Sequence, residues 1–193
     1  MSSAGTVLGI FLTVLYGVML LKPVAAKEWV VKLPRHHQAG IYTMSIGMIW
    51  FWLLVAPDLR GTFSFLGALS MDFADFSKMK PYLQVGVPLA CLGMITYVRE
   101  FLFVRGLGLT LLMAAAPLLY AADFEVAPFK NLVSFVAYAM ILKGLFFVGM
   151  PYVFRDGANW LVANDRRFKM ATTGGLILGL TILVFSFTLW SGH

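Results

Sequence analysis

Lys143 is the one Asp, Glu, Lys, Arg or His placed well inside an apolar stretch of this 193-residue chain. A charge at the centre of a bilayer costs at least about 2.5 to 3.5 kcal/mol, so a residue kept there is a functional candidate. The stretch around it runs from Leu132 to Val153. At about 1.5 Å per helical residue, the ammonium lies roughly 18 Å from one end and roughly 15 Å from the other. A lysine stem spans neither distance, and helical side chains lean toward the amino end, away from the nearer border. Three fates are open to it: burial against polar neighbours, contact with a water-filled cavity, or loss of the proton. Counting depth along the other apolar stretches sets Tyr16 and Ser45 near the same level, with Thr96 and Thr110 somewhat deeper. Lys143, Tyr16 and Ser45 therefore form the candidate intramembrane polar site, either as a packing element or as an anion or proton site. No carboxylate shares that depth, and Glu100 at the border is the nearest acid.

The other reactive side chains point to no catalytic, cofactor or metal residues. His36 and His37 are adjacent loop residues and His193 ends the chain, so no facing imidazoles are available for haem. Zinc needs His, Cys or carboxylate ligands at suitable spacing, and Cys91 stands alone, which also excludes an intramolecular disulfide. Asp72 and Asp75, three residues apart, make a poor cation site without further oxygen ligands. Retinal at Lys143 would want a buried counter-ion, a pump would want intramembrane acids, and hydrolysis would want Ser, His and Asp together; none of these patterns is present.

The elements that carry these residues follow from composition. The chain is 60% hydrophobic and 12% charged, with mean hydropathy +0.84, against roughly a quarter charged in soluble proteins. About 20 apolar residues cross the hydrocarbon core, and six stretches qualify: Ala4 to Leu21, Ala39 to Ala56, Tyr82 to Val98, Leu107 to Ala122, Leu132 to Val153 and Ala171 to Trp190. The expected fold is all-α, a single polytopic bundle of six transmembrane helices over residues 1–193. The fourth stretch is the shortest and carries Pro117.

Loop charge orients the bundle. Lys22, Lys27, Lys32, Arg35, Arg99, Arg105, Arg155, Arg166, Arg167 and Lys169 fall on one side, against Arg60, Lys78, Lys80 and Lys130 among five acids on the other. Basic loops stay cytoplasmic, which sets both termini on the outer side of a bacterial-type inner membrane. Trp29, Tyr42, Tyr97, Tyr152 and Trp160 then fall at inner ends, and Trp50, Trp52, Tyr82, Tyr120 and Trp190 at outer ends, as interfacial aromatics should. Val24-Ala25-Ala26 resembles a signal cleavage site, but Met1 to Thr6 carries no basic residue, so the first stretch is expected to be retained. The net charge of +6 reads as attraction to anionic lipid, with no nucleic-acid groove. Arg155, Arg166, Arg167 and Lys169 are the expected inner-leaflet lipid contacts, on a short interfacial helix or basic turn.

Packing in lipid relies on small residues that let backbones approach. Gly5, Gly9, Thr13 and Gly17 form such a stripe on the first span, and Ala171, Gly175 and Gly179 on the sixth. Each is either an internal contact face or a docking site for another subunit. Pro88 and Pro117 fall inside spans and remove backbone hydrogen bonds. Between Pro57 and Lys80, Leu66, Leu69, Phe73 and Phe76 recur at helical spacing, which suits a helix lying in the headgroup plane. A faint likeness between residues 93–100 and 149–156 is what two spans ending at the same membrane border would show anyway.

Short loops and the absence of cofactor ligands favour a non-enzymatic accessory or assembly subunit of a larger membrane complex. Its partners would be the lipid bilayer and other membrane subunits or a second copy. The alternative is a small-solute transporter or channel with a pathway near Lys143. Third is a membrane enzyme acting on lipid or quinone, with His36 and Arg35 at the interface.

Overall fold

The computed structural model describes residues 2–55, 80–97, 100–124 and 130–190. All regular structure among them is helical: α1 Ser2–Leu21, α2 Pro23–Lys32, a short 3-10 turn Leu33–Arg35, α3 His37–Val55, α4 Lys80–Tyr97, α5 Leu102–Phe124, α6 Lys130–Gly149, α7 Pro151–Val162 and α8 Asp165–Thr188. The headgroup-plane helix expected between Pro57 and Lys80, with Asp72 and Asp75, falls outside the described residues up to its last position.

Among the described residues four segments are long and apolar enough to cross a membrane, Ser3–Leu21, Leu102–Ala122, Asn131–Gly149 and Asp165–Thr188, the pattern of a helical membrane protein. Of the remaining two expected spans, the one in α4 is apolar but shorter, Tyr82–Tyr97. The one in α3, within His37–Val55, is not among these four segments.

Several boundaries differ from the sequence reading, each for a local reason. The basic segment after the first span is the helix α2, begun by Pro23 at a position where a missing N–H costs nothing. α5 starts five residues earlier than expected and runs unbroken through Pro117, so Arg105 is a helical residue rather than a loop charge. It follows Phe101, whose φ of 56° reverses the chain into the helix. α6 stops at Gly149 because Pro151 supplies no N–H to continue it and opens α7 instead.

The chain divides into two compact units. The first contains α1, α2, α5 from Ala114, α6 as far as Leu142, α7 from Tyr152, and α8. Its centre is the close pairing of α1 with α8. A Cβ at Gly179 would lie 2.8 Å from the Thr13 backbone nitrogen, and one at Gly9 would lie 3.0 Å from that of Leu183, so the two backbones are separated by little more than glycine. The Thr6 and Ser186 hydroxyls bond at 2.6 Å across the same pair. Trp190 is fully buried over Gly5 and meets Phe185 edge to face. This corrects its expected place among the interfacial aromatics: the missing side chain at Gly5 makes a socket that the indole fills. Leu8, Ala115, Leu118, Ala122, Val133, Val136, Ala137 and Ile182 complete this core.

The second unit contains α3, α4, α5 as far as Met113, and α6 from Lys143 to Pro151. Here Gly40, Gly47 and Gly106 set α3 against α5, with Leu102, Phe103 and Val104 buried. Gly108 of α5 and Gly144 of α6 face each other so closely that a Cβ on either would lie 2.8 Å from the other's carbonyl oxygen. α4 packs on α3, and Trp52 Nε1 donates to the Gln84 carbonyl at 3.0 Å.

Candidate functional site

Lys143 lies on α6 directly before Gly144, and that neighbour fixes which way the lysine faces. Successive helical residues are turned about 100° apart, so with Gly144 held against Gly108 and Leu112 the preceding residue is directed off that contact. Lys143 is accordingly exposed, alongside exposed Leu145, Phe146 and Met150. Among the described residues it makes no hydrogen bond or ion pair. The corrected end of α6 also moves it closer to a border: six residues remain to Gly149, about 9 Å of helix.

The other two members of the expected polar site are placed differently. Ser45 is half-buried on α3 in the same unit as Lys143. Tyr16 is half-buried on α1 in the other unit, where its ring lies over Gly175. Thr96 and Thr110, expected somewhat deeper, turn their hydroxyls back on their own helices, bonding the Leu92 and Leu107 carbonyls at 2.8 Å each. That is the usual way a threonine satisfies itself in an apolar helix.

The second unit holds a polar group that sequence reasoning missed. Arg105 lies in the first turn of α5, one turn before Gly108, and its Nε is buried without a hydrogen-bond partner among the described residues. Counting it with the loops hid it. The signal that could have found it is the apolar run from Phe101 to Val104 preceding it, which lets the helix start early.

In the first unit, the basic residues gather where α2, α7 and α8 begin or end. Asn164 caps α8, its side-chain oxygen accepting from the Arg166 N–H at 2.9 Å. Lys27 of α2 pairs with Asp165 and sits 5.4 Å from the Phe168 ring centre, tying the α2 segment to the start of α8. Arg167 lies over the Trp160 ring at 4.5 Å, and Arg155 bonds Asp156 at 2.9 Å. Arg155, Arg166, Arg167 and Lys169 are all exposed, while Ala158 alone of α7 is buried. Such an amphipathic helix, with Arg155 and Trp160 exposed, suits a lipid headgroup layer.

Arg35 is exposed in the 3-10 turn, and exposed His36 accepts the Ala39 N–H at Nδ1, 3.3 Å away, which makes it a cap for α3. Among the described residues no group of three or more His, Cys, Asp or Glu is placed to hold a metal ion. Gly5, Gly9, Gly175 and Gly179 all lie in the α1–α8 contact, whereas Gly17 only grazes Leu176 at 4.0 Å. No protein-family model, curated protein or solved structure matches this chain.

Proposed function

We propose that this chain is a non-enzymatic subunit of a larger complex in a bacterial-type cytoplasmic membrane, crossing it six times with both termini outside. The carrying observation is Lys143, a cation exposed on a helix that is otherwise apolar enough to cross a bilayer. Such a charge is costly against acyl chains and is stabilised when another component covers it. The six crossings add α3 and α4 to the four long spans, and the orientation rests on the basic cluster of α2, α7 and α8 facing the cytoplasm.

Two measurements test the reading. Purification of the full chain in mild detergent, with identification of co-migrating polypeptides, gives a stoichiometric partner if the chain is a subunit; a lone monomer rejects it. Cysteine accessibility at Asp72 and Arg166 places them on opposite sides of the membrane if the crossings are right; labelling from one side rejects the topology. Lys143→Met separates this reading from a solute pathway: transport lost while assembly persists removes the subunit reading, and intact transport removes the pathway reading.

A further inference from the structure

We infer that the exposed face of α6 around Lys143 is the docking surface for a membrane-spanning helix of a different protein, one that carries an Asp or Glu at the depth of Lys143. The inference rests on the subunit reading and names the chemistry of the partner.

Rotation of α6 is fixed in this stretch. Turning Lys143 inward would pull Gly144 away from the Gly108 carbonyl and Leu112, a contact so close that only glycine permits it. The lysine therefore stays on the outer face, with Phe146 three residues on along the same stripe and Met150 just past the end of α6. Phe146 is 50% and Met150 45% exposed, and Leu145 beside them is 57% exposed. The surface is thus a cation set in an apolar stripe. An apolar helix would cover the stripe and leave the cation unpaired; a helix with a carboxylate covers both.

The competing occupants fit less well. A lipid headgroup at the nearer border lies beyond Gly149, and a helical lysine leans the other way, toward the amino end of α6. A second copy of this chain brings no acid to the required depth. None of its nine Asp and Glu lies in the interior of a candidate span; Asp123 falls just past Ala122, and Asp165 is the first residue of α8, where Lys27 holds it. Two copies meeting at this face would set lysine against lysine.

The test uses the full-length chain in its native membrane, with a photo-crosslinking residue at Phe146 and a control probe at exposed Leu89 of α4. The Phe146 probe should give an adduct with one protein, and the crosslinked segment should be a membrane span containing Asp or Glu. Lys143→Met and Lys143→Gln should each lower the adduct at least about tenfold, equal to about 1.4 kcal/mol, while Lys143→Arg retains it. Lys143→Asp should lose the adduct and regain it when the partner's acid is changed to Lys. These substitutions alter an exposed side chain and open no cavity, and unchanged elution of each variant in detergent confirms that it has folded. Lipid adducts alone at Phe146, a crosslinked span without a carboxylate, or an adduct indifferent to Lys143→Met would each overturn the inference. A protein adduct that ignores Lys143→Met leaves the subunit reading standing, whereas a chain that co-migrates with nothing removes both.

Discussion

Trp52 of α3 donates its indole N–H to the Gln84 carbonyl of α4 at 3.0 Å, and Gln84 is the residue whose carbonyl loses its helical donor to Pro88. In a regular helix the N–H of residue 88 would bond that oxygen; proline has none to offer. A carbonyl deprived of its helix bond is costly in an apolar environment. The indole therefore repairs the helix that the proline interrupts, and ties α4 to α3.

A double-mutant cycle measures this repair. Trp52→Phe should destabilise the protein by about 0.5 to 1.5 kcal/mol, the net contribution of one hydrogen bond. In a Pro88→Ala background the helix recovers its own bond, and Trp52→Phe should then cost clearly less. Unfolding midpoints in mixed micelles give all four corners. Equal costs in both backgrounds would show that the indole contributes packing alone.

The α1–α8 contact predicts a ranking among glycines that the four-residue spacing by itself treats as equivalent. Gly179→Ala should cost about 1 to 3 kcal/mol, because its Cβ would meet the Thr13 backbone nitrogen at 2.8 Å. Thr13→Ala should not rescue it, since that nitrogen stays in place. Gly175→Ala should cost less, the obstacle being the Tyr16 ring, which can turn aside. Gly17→Ala should be neutral or stabilising by up to about 1 kcal/mol through helix propensity. Thermal midpoints in detergent check the order, and Gly17→Ala proving as damaging as Gly179→Ala would contradict it.

Composition and hydrophobic length made the membrane class and the four long helices legible, because lipid constrains both directly. The small-residue stripes were visible too, although whether another helix of the same chain or another subunit fills them depends on contacts that spacing does not encode. Helix ends were less legible. α5 begins early because Phe101 takes a left-handed turn, and α6 ends early because Pro151 starts a new helix, neither of which alters mean hydropathy much. Those two shifts changed the reading of the charges most: they brought Arg105 into a helix and Lys143 nearer to a border. The orientation of Lys143 was beyond reach from its own position, since it is set by the neighbouring Gly144 and its fit against Gly108.

Arg105 makes an unusual prediction in the stabilising direction. Its Nε is buried without a partner among the described residues, and an unsatisfied buried donor costs about 1 to 3 kcal/mol. Arg105→Met keeps most of the stem's packing and removes that donor, so the variant should unfold later, by about 1 kcal/mol or more. The purified chain in detergent is the material for the measurement. A lower midpoint would mean that the rest of the guanidinium makes contacts that outweigh the unpaired Nε–H, and would contradict the prediction.

The Thr6–Ser186 bond tests how much a polar contact adds between helices already locked by glycine. The hydroxyls meet at 2.6 Å, with Ser186 fully buried and Thr6 partly buried. Interhelical bonds in membranes average about 0.6 kcal/mol and reach about 1.7, because the separated helices also find partners. A cycle of Thr6→Val and Ser186→Ala should return a coupling in that range, near its upper end given the burial. Close backbone approach at Gly9 and Gly179 would then contribute more than the hydroxyls do, with Gly179→Ala costing more than Ser186→Ala. If the coupling exceeded the cost of Gly179→Ala, the hydroxyl pair rather than the glycine contact would be what holds α1 on α8.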